Sequence, residues 1–278
     1  MGYKDLIDEN SVILVGNGLN LRGSNNNSIS WESILKNMNK NKGNGDVPKG
    51  YPLTEFFEIV NIDKDDQVGM INEFIDSIKS IEPGRAHHDL VKTCMDKGIN
   101  ILTTNFDHSI EKAGNFDEGA YRKLDEGFTD YYPWQRYYSN GPKAGGIKIW
   151  HVNGDVKYRR SIKLSVCDYA GCISYYGEFD PMAKSRYKRD RTWINEIMEK
   201  NLIIMGLTLS EAEIFLRHVL IRRASYSKKR GKGLKGYFLT TEDFETVKNS
   251  RLKFFLESVD IKIEYFKDYN EMYDVYPW

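Results

Sequence analysis

The sequence contains little cysteine or proline and no long hydrophobic run. Three cysteines, Cys94, Cys167 and Cys172, exclude both a framework of paired disulfides and a zinc site built from two C-x-x-C pairs. We therefore expect reduced thiols and no bound metal. The apolar runs are far shorter than the roughly 20 residues that cross a bilayer, and Met1–Asn10 is too charged for a signal peptide. These absences predict a cytoplasmic protein without membrane association.

A net charge is also absent, because 40 Lys and Arg residues balance 40 Asp and Glu residues. Proteins that bind nucleic acid usually carry an excess of positive charge, so we expect no direct nucleic-acid partner. The chain has 278 residues, which is enough for a full hydrophobic core. Aromatic residues make up 13% of it, and this content argues against disorder. We expect residues 1–278 to form one folded domain.

Short apolar runs alternate with helical patterns along the chain. Six runs rich in β-branched residues predict buried strands: Val12–Val15, Asn100–Thr103, Gly146–His151, Leu202–Met205, Gly236–Leu239 and Ile261–Tyr265. One helix is predicted from Trp31 onward, and the other predicted helices are Ala86–Lys97, Phe106–Ala113, Arg191–Lys200, Ser210–Ser225 and Thr241–Ser258. This alternation predicts an α/β fold with a Rossmann-like, doubly wound, parallel six-stranded sheet.

The connection between the first two predicted strands is unusually long. A parallel crossover needs a dozen or more residues, whereas residues 21–99 lie between these two strands. We interpret residues 22–98 as a helical insertion that forms a cap beside the crevice at the strand ends. Tyr131–Gly146 is rich in Tyr, Trp, Pro and Gly, which predicts a loop near the site. Tyr158–Lys188 shows no clear periodicity and is expected to be irregular.

Gly16, Asn17 and Gly18 follow the first predicted strand directly. A strand that ends in a Gly-x-Gly turn leaves backbone N–H groups for a nucleotide phosphate, and glycine lets the phosphate approach closely. The pattern departs from the dehydrogenase fingerprint, because position 21 is Leu and the next glycine is Gly23. An ordinary tight turn is the alternative interpretation.

Polar residues follow the second predicted strand in the run Thr103–Asp107. Asn105 offers a donor and an acceptor, which suits a ribose hydroxyl, an amide or a water molecule. Asp107 is suited either to accept a hydrogen bond from a carboxamide or to cap the helix that follows. Both interpretations remain open from the sequence.

His151 ends the third predicted strand and precedes Asn153, Gly154 and Asp155. Histidine titrates near neutral pH, so it can take a proton from a sugar hydroxyl or a water molecule. The other histidines lie within helical patterns and are interpreted as core or surface residues: His87, His88, His108 and His218.

The fourth predicted strand runs into Gly206 and Thr208 in the same manner. The carboxyl ends of strands face one crevice in an open α/β sheet. We therefore expect all four strand-end clusters to meet there.

Together these residues resemble the sirtuin-like NAD-binding family. That family typically shows a Gly-x-Gly turn, a Thr-Gln/Thr-Asn-Φ-Asp cluster, a His near a following Gly and a Gly-x-Ser-Leu-like turn. The matching segments here are Gly16–Gly18, Thr104–Asp107, His151–Gly154 and Gly206–Leu209, and Glu82–Leu90 also resembles bacterial sirtuin-like domains. The order and spacing of the motifs match over Val12–Leu220.

The resemblance implies a role for each matching residue. It implies that Gly16, Asn17 and Gly18 cradle the pyrophosphate of NAD. It implies that Asp107 holds the nicotinamide carboxamide, that Asn105 positions the nicotinamide ribose and a water, and that His151 is the general base. Gly206 and Thr208 are expected to hold the adenosine side, and the expected NAD-binding set is completed by Asn20 and Thr104.

Two departures from the family's protein deacetylases indicate the branch. Deacetylases carry a module with four zinc cysteines, where this chain has only Cys167 and Cys172, and Thr104 replaces their glutamine. The loss of the zinc module and the large helical insertion resemble bacterial sirtuin-like domains that hydrolyse NAD to nicotinamide and ADP-ribose, commonly in anti-phage defence. The expectation is a zinc-free NADase gated by Tyr131–Tyr138 or by the helical cap. We expect a homo-oligomer or a partner subunit of a defence system.

Alternative functions remain open. A zinc-free deacylase or ADP-ribosyltransferase breaks the same glycosidic bond through an oxocarbenium-like species, and only the attacking group differs. A module that senses NAD or ADP-ribose without turnover is a further alternative, which the retention of Asn105 and His151 disfavours.

Overall fold

A single sheet forms the centre of the molecule in the computed structural model, which describes residues 2–24, 30–41, 48, 50–62, 66–118, 129–141, 146–179, 192–244 and 249–273. The strands of this described part are β1 (Ser11–Val15), β2 (Asn100–Thr103), β3 (Asp117–Glu118), β4 (Tyr138–Ser139), β5 (Lys148–His151), β6 (Asn201–Met205), β7 (Gly236–Thr241) and β8 (Lys262–Phe266). Their order in the sheet is β3-β4-β5-β2-β1-β6-β7-β8.

The sheet has eight strands, so the predicted number of six is wrong. The six predicted positions coincide with β1, β2, β5, β6, β7 and β8, which pair in parallel. The additional strands β3 and β4 are antiparallel and two residues long each. Such short strands have no apolar periodicity of their own. They form because the edge of β5 offers free backbone groups for pairing.

Helices occupy both faces of the sheet. Those within the described residues are α1 (Gly18–Ser24), α2 (Trp31–Asn41), α3 (Leu53–Asn61), α4 (Gln67–Ile78), α5 (Arg85–Lys97), α6 (Ser109–Gly114), α7 (Val166–Phe179), α8 (Trp193–Glu199), α9 (Ile214–Arg230), α10 (Ser250–Ser258) and α11 (Tyr269–Tyr273). The predicted end of α5 is confirmed, because Gly98 adopts a left-handed φ of 66° and terminates the helix. None of these helices has both the length and the apolar character that a membrane span requires.

Several predictions about the helices differ from the structure. Helix α6 begins at Ser109 instead of Phe106. Helix α9 begins at Ile214 instead of Ser210, because Leu209 adopts a left-handed φ of 44° and delays the first turn. Helix α7 lies within Tyr158–Lys188, where an irregular segment was expected. Its buried residues are tyrosine and cysteine in place of aliphatic residues, which obscures the periodicity. Of the predicted Thr241–Ser258 helix, the structure describes α10 and a short 3₁₀ turn, and residues 245–248 lie outside the described part.

The connection between β1 and β2 is helical, as predicted, but its helices pack in two different places. Helix α5 buries Leu90 and Cys94 against the sheet. Helices α2, α3 and α4 form a separate apolar cluster, which includes Leu35, Phe57 and Phe74. That residues 22–98 form a cap beside the crevice stays a prediction.

The direction of winding reverses between β1 and β6. From the central β1, the chain adds β2 and β5 on one side and then β6, β7 and β8 on the other. Ligands of open α/β sheets bind in the crevice outside the carboxyl ends of the strands at such a reversal. The topology therefore locates a crevice where β1 and β6 end.

Candidate functional site

The four strand ends predicted to meet lie in one row across the sheet. Val15 pairs with both Thr103 of β2 and Met205 of β6. Thr103 in turn pairs with His151 of β5. The polar segments that follow these strands therefore leave the sheet at the same level, side by side. The predicted convergence of the strand ends is confirmed.

The glycine turn after β1 packs directly against the turn after β6. A Cβ atom on Gly18 would lie 2.6 Å from the Cα of Gly206, and one on Gly16 would lie 2.6 Å from the Gly206 carbonyl oxygen. Gly206 itself has a left-handed φ of 69°. Glycine is required at these positions because two backbone turns touch.

The N–H groups of Gly16 and Gly18 were expected to be free, but both donate hydrogen bonds within the protein. The Gly16 N–H donates to Met205 O at 3.0 Å, and the Gly18 N–H donates to Gly206 O at 2.9 Å. The free N–H groups expected for a phosphate are therefore absent at Gly16 and Gly18. Asn17 lies between them and is half-buried.

Asn20 and Asp107 join the first two clusters through buried hydrogen bonds. Asn20 Nδ2 donates to Asp107 Oδ2 at 2.6 Å. The other carboxylate oxygen of Asp107 accepts the Ser109 N–H at 2.9 Å, at the start of α6. Each carboxylate oxygen thus has a protein partner, although Asp107 precedes the N-cap residue of α6, which is His108. The predicted contact of Asp107 with a carboxamide stays a prediction.

His87 supports the same network from α5. Its Nδ1 accepts the Gly84 N–H at 3.0 Å, so the proton lies on Nε2, which donates to Asn20 Oδ1 at 2.9 Å. Burial lowers the pKa of His87 to about 4 and keeps the ring neutral. The interpretation of His87 as a core residue is confirmed.

Asn105 lies at the centre of the row of strand ends and is buried. Its Nδ2 is 3.4 Å from Gly16 O and 3.3 Å from Asn20 Oδ1. No described residue donates a hydrogen bond to its Oδ1. The neighbouring Thr104 is half-buried, and its backbone N–H donates to Val15 O at 3.0 Å.

His151 is held between two acceptors. Its Nδ1 lies 2.7 Å from Asn105 O, and its Nε2 lies 2.9 Å from Glu111 Oε1. A carbonyl and a carboxylate only accept, so both ring nitrogens carry protons. Burial alone would lower the pKa of His151, but the Glu111 carboxylate outweighs it and raises this pKa to about 10. His151 is therefore a buried imidazolium, and neither nitrogen has a free lone pair.

A second cluster surrounds Asp155, next to His151. His108 Nε2 lies 2.7 Å from Asp155 Oδ1, and the Tyr138 hydroxyl donates to Asp155 Oδ2 at 2.6 Å. Burial opposes the ionisation of Asp155, yet the hydrogen bond from His108 and the charge of His151 hold its pKa well below the usual range. The rings of His108 and His151 are 5.6 Å apart.

The described residues include one group with the composition of a metal site, namely His108, His151 and Asp155. Their candidate ligand atoms lie within 4.8 Å of one another. Both nitrogens of His151 are already hydrogen-bonded, so a metal ion would have to displace Asn105 O or Glu111. The geometry suits a hydrogen-bonded network better than a metal site.

Thr208 lies beyond Gly206, at the opposite side of the crevice from His151. It is exposed, and its hydroxyl donates to Glu213 Oε1 at 3.2 Å. Burial raises the pKa of Glu213 to about 7, although the bond from Thr208 acts in the opposite direction. Glu213 thus anchors the turn that carries Thr208.

Sequence reasoning missed Glu111, His108 and Tyr138. Glu111 lies on a helix and Tyr138 in a predicted loop, and neither position differs locally from a surface position. His108 was interpreted as a core or surface residue because it lies in a helical pattern. The only local signal was the run of polar residues from Thr103 to Ser109, which continues past the predicted cluster.

The pair of His151 and Glu111 predicts a dependence of stability on pH. The folded-state pKa of His151, about 10, exceeds its ordinary value of 6.5. The pair therefore stabilises the fold fully below pH 6.5, and this contribution is lost as the pH rises towards 10. We expect the free energy of unfolding to fall between pH 7 and 9.5 by up to about 1.4 kcal/mol per pH unit.

Urea denaturation of two variants tests this expectation. Glu111→Leu alone should cost about 3–5 kcal/mol, because it leaves a buried cation without a partner. The double variant Glu111→Leu with His151→Leu should recover most of that loss and should lack the decline between pH 7 and 9.5. A wild-type slope in the double variant would show that another group causes the pH dependence.

A family model described as a SIR2-like domain matches residues 99–263, which is more than half of the chain. The matched range contains Asn105, His151, Gly206 and Thr208, and it leaves the glycine turn after β1 outside. No curated protein matches the chain.

Proposed function

The chain belongs to the SIR2-like domain family, whose members typically use NAD, and from this premise we propose that the protein is an NAD glycohydrolase. It cleaves the bond between nicotinamide and ribose, and water receives the ribose, so that the products are nicotinamide and ADP-ribose. The observation that carries this proposal is the in-register pairing of Val15 with Thr103 and Met205 and of Thr103 with His151. This pairing puts the ends of β1, β2, β5 and β6 side by side, which supports a shared site at the crevice.

In the proposed complex, NAD lies across the point where the winding reverses. The adenosine side lies near Gly206 and the exposed Thr208, and the pyrophosphate passes the turn of Gly16, Asn17 and Gly18. The missing side chains at this turn let it pack against the backbone of Gly206, and this packing keeps both turns at the crevice where the pyrophosphate is proposed to lie. The nicotinamide ribose lies next to Asn105, whose Oδ1 accepts no hydrogen bond from a described residue.

Electrostatics support cleavage of the glycosidic bond at this place. The bond breaks through an oxocarbenium-like species, and its electron pair leaves with nicotinamide, whose ring nitrogen loses its charge. Glu111 and the ionised Asp155 outweigh the single charge of His151, so this group as a whole favours a developing cation. His151 also donates to the carbonyl of Asn105 and so fixes that residue.

Uncontrolled hydrolysis would deplete the NAD of a cell, so the proposal includes a gate and a role in anti-phage defence. Of the two segments expected to gate the site, Tyr131–Tyr138 is anchored by Trp134, which is buried against Trp193 and Phe215. Helices α2–α4 are the better candidate. Their Phe74 ring lies 5.3 Å from that of Phe106, the residue after Asn105. We propose that a second copy or a partner subunit moves these helices.

Incubation of the protein with NAD, with and without an acetylated peptide, tests the proposed reaction. We expect nicotinamide and ADP-ribose in equal amounts at a rate that does not depend on the peptide, because water is the acceptor. Nicotinamide release only with peptide would favour the deacylase. Labelled ADP-ribose on protein would favour the transferase. Binding of NAD without either product under all conditions would favour the sensor.

A further inference from the structure

We infer that His108, a residue outside the predicted site, takes the proton from the attacking water in the proposed hydrolysis. This inference rests on the proposed function. It assigns the removal of a proton from water, for which His151, bonded at both nitrogens, has no free lone pair. It follows from three features of His108, which are its tautomer, its exposure and its place beside His151.

Asp155 determines the tautomer of His108. The carboxylate only accepts, so the bond of 2.7 Å requires the proton of His108 on Nε2. The Tyr138 hydroxyl lies 3.3 Å from the same nitrogen, but its proton is directed to Asp155 at 2.6 Å. The Lys157 N–H donates to Asp155 Oδ1 at 2.7 Å and completes the carboxylate's partners. In the neutral ring, the lone pair of His108 therefore lies on Nδ1.

The Nδ1 atom of His108 has no hydrogen-bond partner in the part of the chain that the structure describes. The His108 side chain is 25% exposed, whereas the His151 side chain is 4% exposed. A carboxylate that orients one ring nitrogen while the other stays free is the arrangement of an acid–base histidine. In this site, His108 has that arrangement and His151 does not.

The position of His108 is suited to this role. It follows Asn105 by three residues, and its ring lies 5.6 Å from the ring of His151, which is bonded to the Asn105 carbonyl. The groups that face the His108 ring are the carboxylate of Asp155, the hydroxyl of Tyr138 and the imidazolium of His151, with Glu111 behind it. A base at this place is adjacent to the ribose that Asn105 is proposed to hold.

The proposed step balances as follows. The bond between C1′ of the ribose and the nicotinamide nitrogen breaks, and both electrons leave with nicotinamide. The water oxygen bonds to C1′, and one water proton moves to Nδ1 of His108. The other proton stays on the new hydroxyl of ADP-ribose. His108 then releases its proton to solvent, so one proton is produced for each NAD.

Two reactions of the same site separate cleavage from activation of water. Hydrolysis needs a proton acceptor, whereas exchange of labelled nicotinamide into NAD needs only reversible cleavage of the bond. We expect His108→Gln to lower hydrolysis by roughly 10²–10⁴-fold and to keep exchange near the wild-type rate. Asn105→Ala should lower both, because it acts on cleavage. Hydrolysis by His108→Gln at the wild-type rate would overturn the inference.

Controls separate a positioning effect from a loss of fold. Asp155→Asn removes the carboxylate that orients His108, so this variant should lose more hydrolysis than nicotinamide exchange. In a second variant, His108→Ala, added imidazole should restore part of the rate of hydrolysis. His88→Gln is a matched control, because His88 is exposed and its Nδ1 lies 3.1 Å from Ala113 O, outside the proposed site. Its hydrolysis should equal that of the wild type.

A readout independent of turnover distinguishes failure of this inference from failure of the proposed function. If the wild-type protein releases no nicotinamide, the proposed function fails. The ¹⁵N spectrum of the histidines, recorded with and without ADP-ribose, then tests the tautomer of His108 and its place beside the ligand. We expect a proton on Nε2, none on Nδ1, and a shift of the Nδ1 signal on binding. A proton on Nδ1 or an unchanged signal would overturn the assignment.

Discussion

Asn105→Ala is expected to reduce nicotinamide release from NAD by at least about 100-fold, because misplacement of the reacting groups by as little as 1 Å costs roughly that factor. The side-chain amide of Asn105 is held at the end of β2 by two long contacts of its Nδ2, 3.4 Å to Gly16 O and 3.3 Å to Asn20 Oδ1. Its Oδ1 is the acceptor proposed for the ribose and the water. Nicotinamide release at saturating NAD measures the effect.

The fold should survive this change. Loss of two long hydrogen bonds costs about 1 kcal/mol, which is small against the stability of a domain of this size. Asn10→Ala is the matched control, because Asn10 is an exposed asparagine outside the site. Both variants should keep the wild-type melting temperature within a few degrees. An Asn105→Ala protein with normal nicotinamide release would remove Asn105 from the proposed site.

Gly18→Val is expected to lose NAD binding and to lower the melting temperature by about 5–10 °C. A Cβ at this position would lie 2.6 Å from the Cα of Gly206 and 3.1 Å from the Tyr273 hydroxyl. The first neighbour is backbone, so the turns after β1 and β6 would have to separate. Calorimetry with NAD and thermal denaturation measure the two effects, and we expect binding at least about 10-fold weaker.

Gly177→Ala provides the control for this variant. Gly177 is exposed on α7, and a Cβ there would meet no atom within 4 Å. The change should stabilise the protein by up to about 1 kcal/mol, because alanine favours the helix, and NAD binding should stay unchanged. Normal NAD affinity in Gly18→Val would mean that the dinucleotide does not pass this turn.

Part of the candidate site followed from the sequence, because its signals are local. The glycines, Asn105 and His151 each stand directly after an apolar run, and the end of a parallel strand is a place that local patterns mark. The roles of these residues were less predictable. The N–H groups of Gly16 and Gly18 are used within the protein, and both nitrogens of His151 are occupied.

Hydrogen bonds over long separations decided those roles. Glu111 reaches His151 across 40 residues of sequence, and Asp155 reaches His108 across 47. A single sequence carries no signal for such pairs. The strands β3 and β4 likewise could not be predicted from the sequence. Each is two residues long, and their pairing depends on the edge of β5.

The parallel core strands, the residues at their ends and the likeness to an NAD-using family follow from the order of the amino acids, because they depend on hydrophobic periodicity and local motifs. Which histidine is a buried cation, and which keeps a nitrogen without a partner among the described residues, depends on the folded arrangement. That difference arises from the pair that each ring forms: His151 and Glu111 are both buried, whereas the His108 side chain that meets Asp155 is 25% exposed. The protonation of a histidine is determined by its neighbours in space, which folding alone brings together.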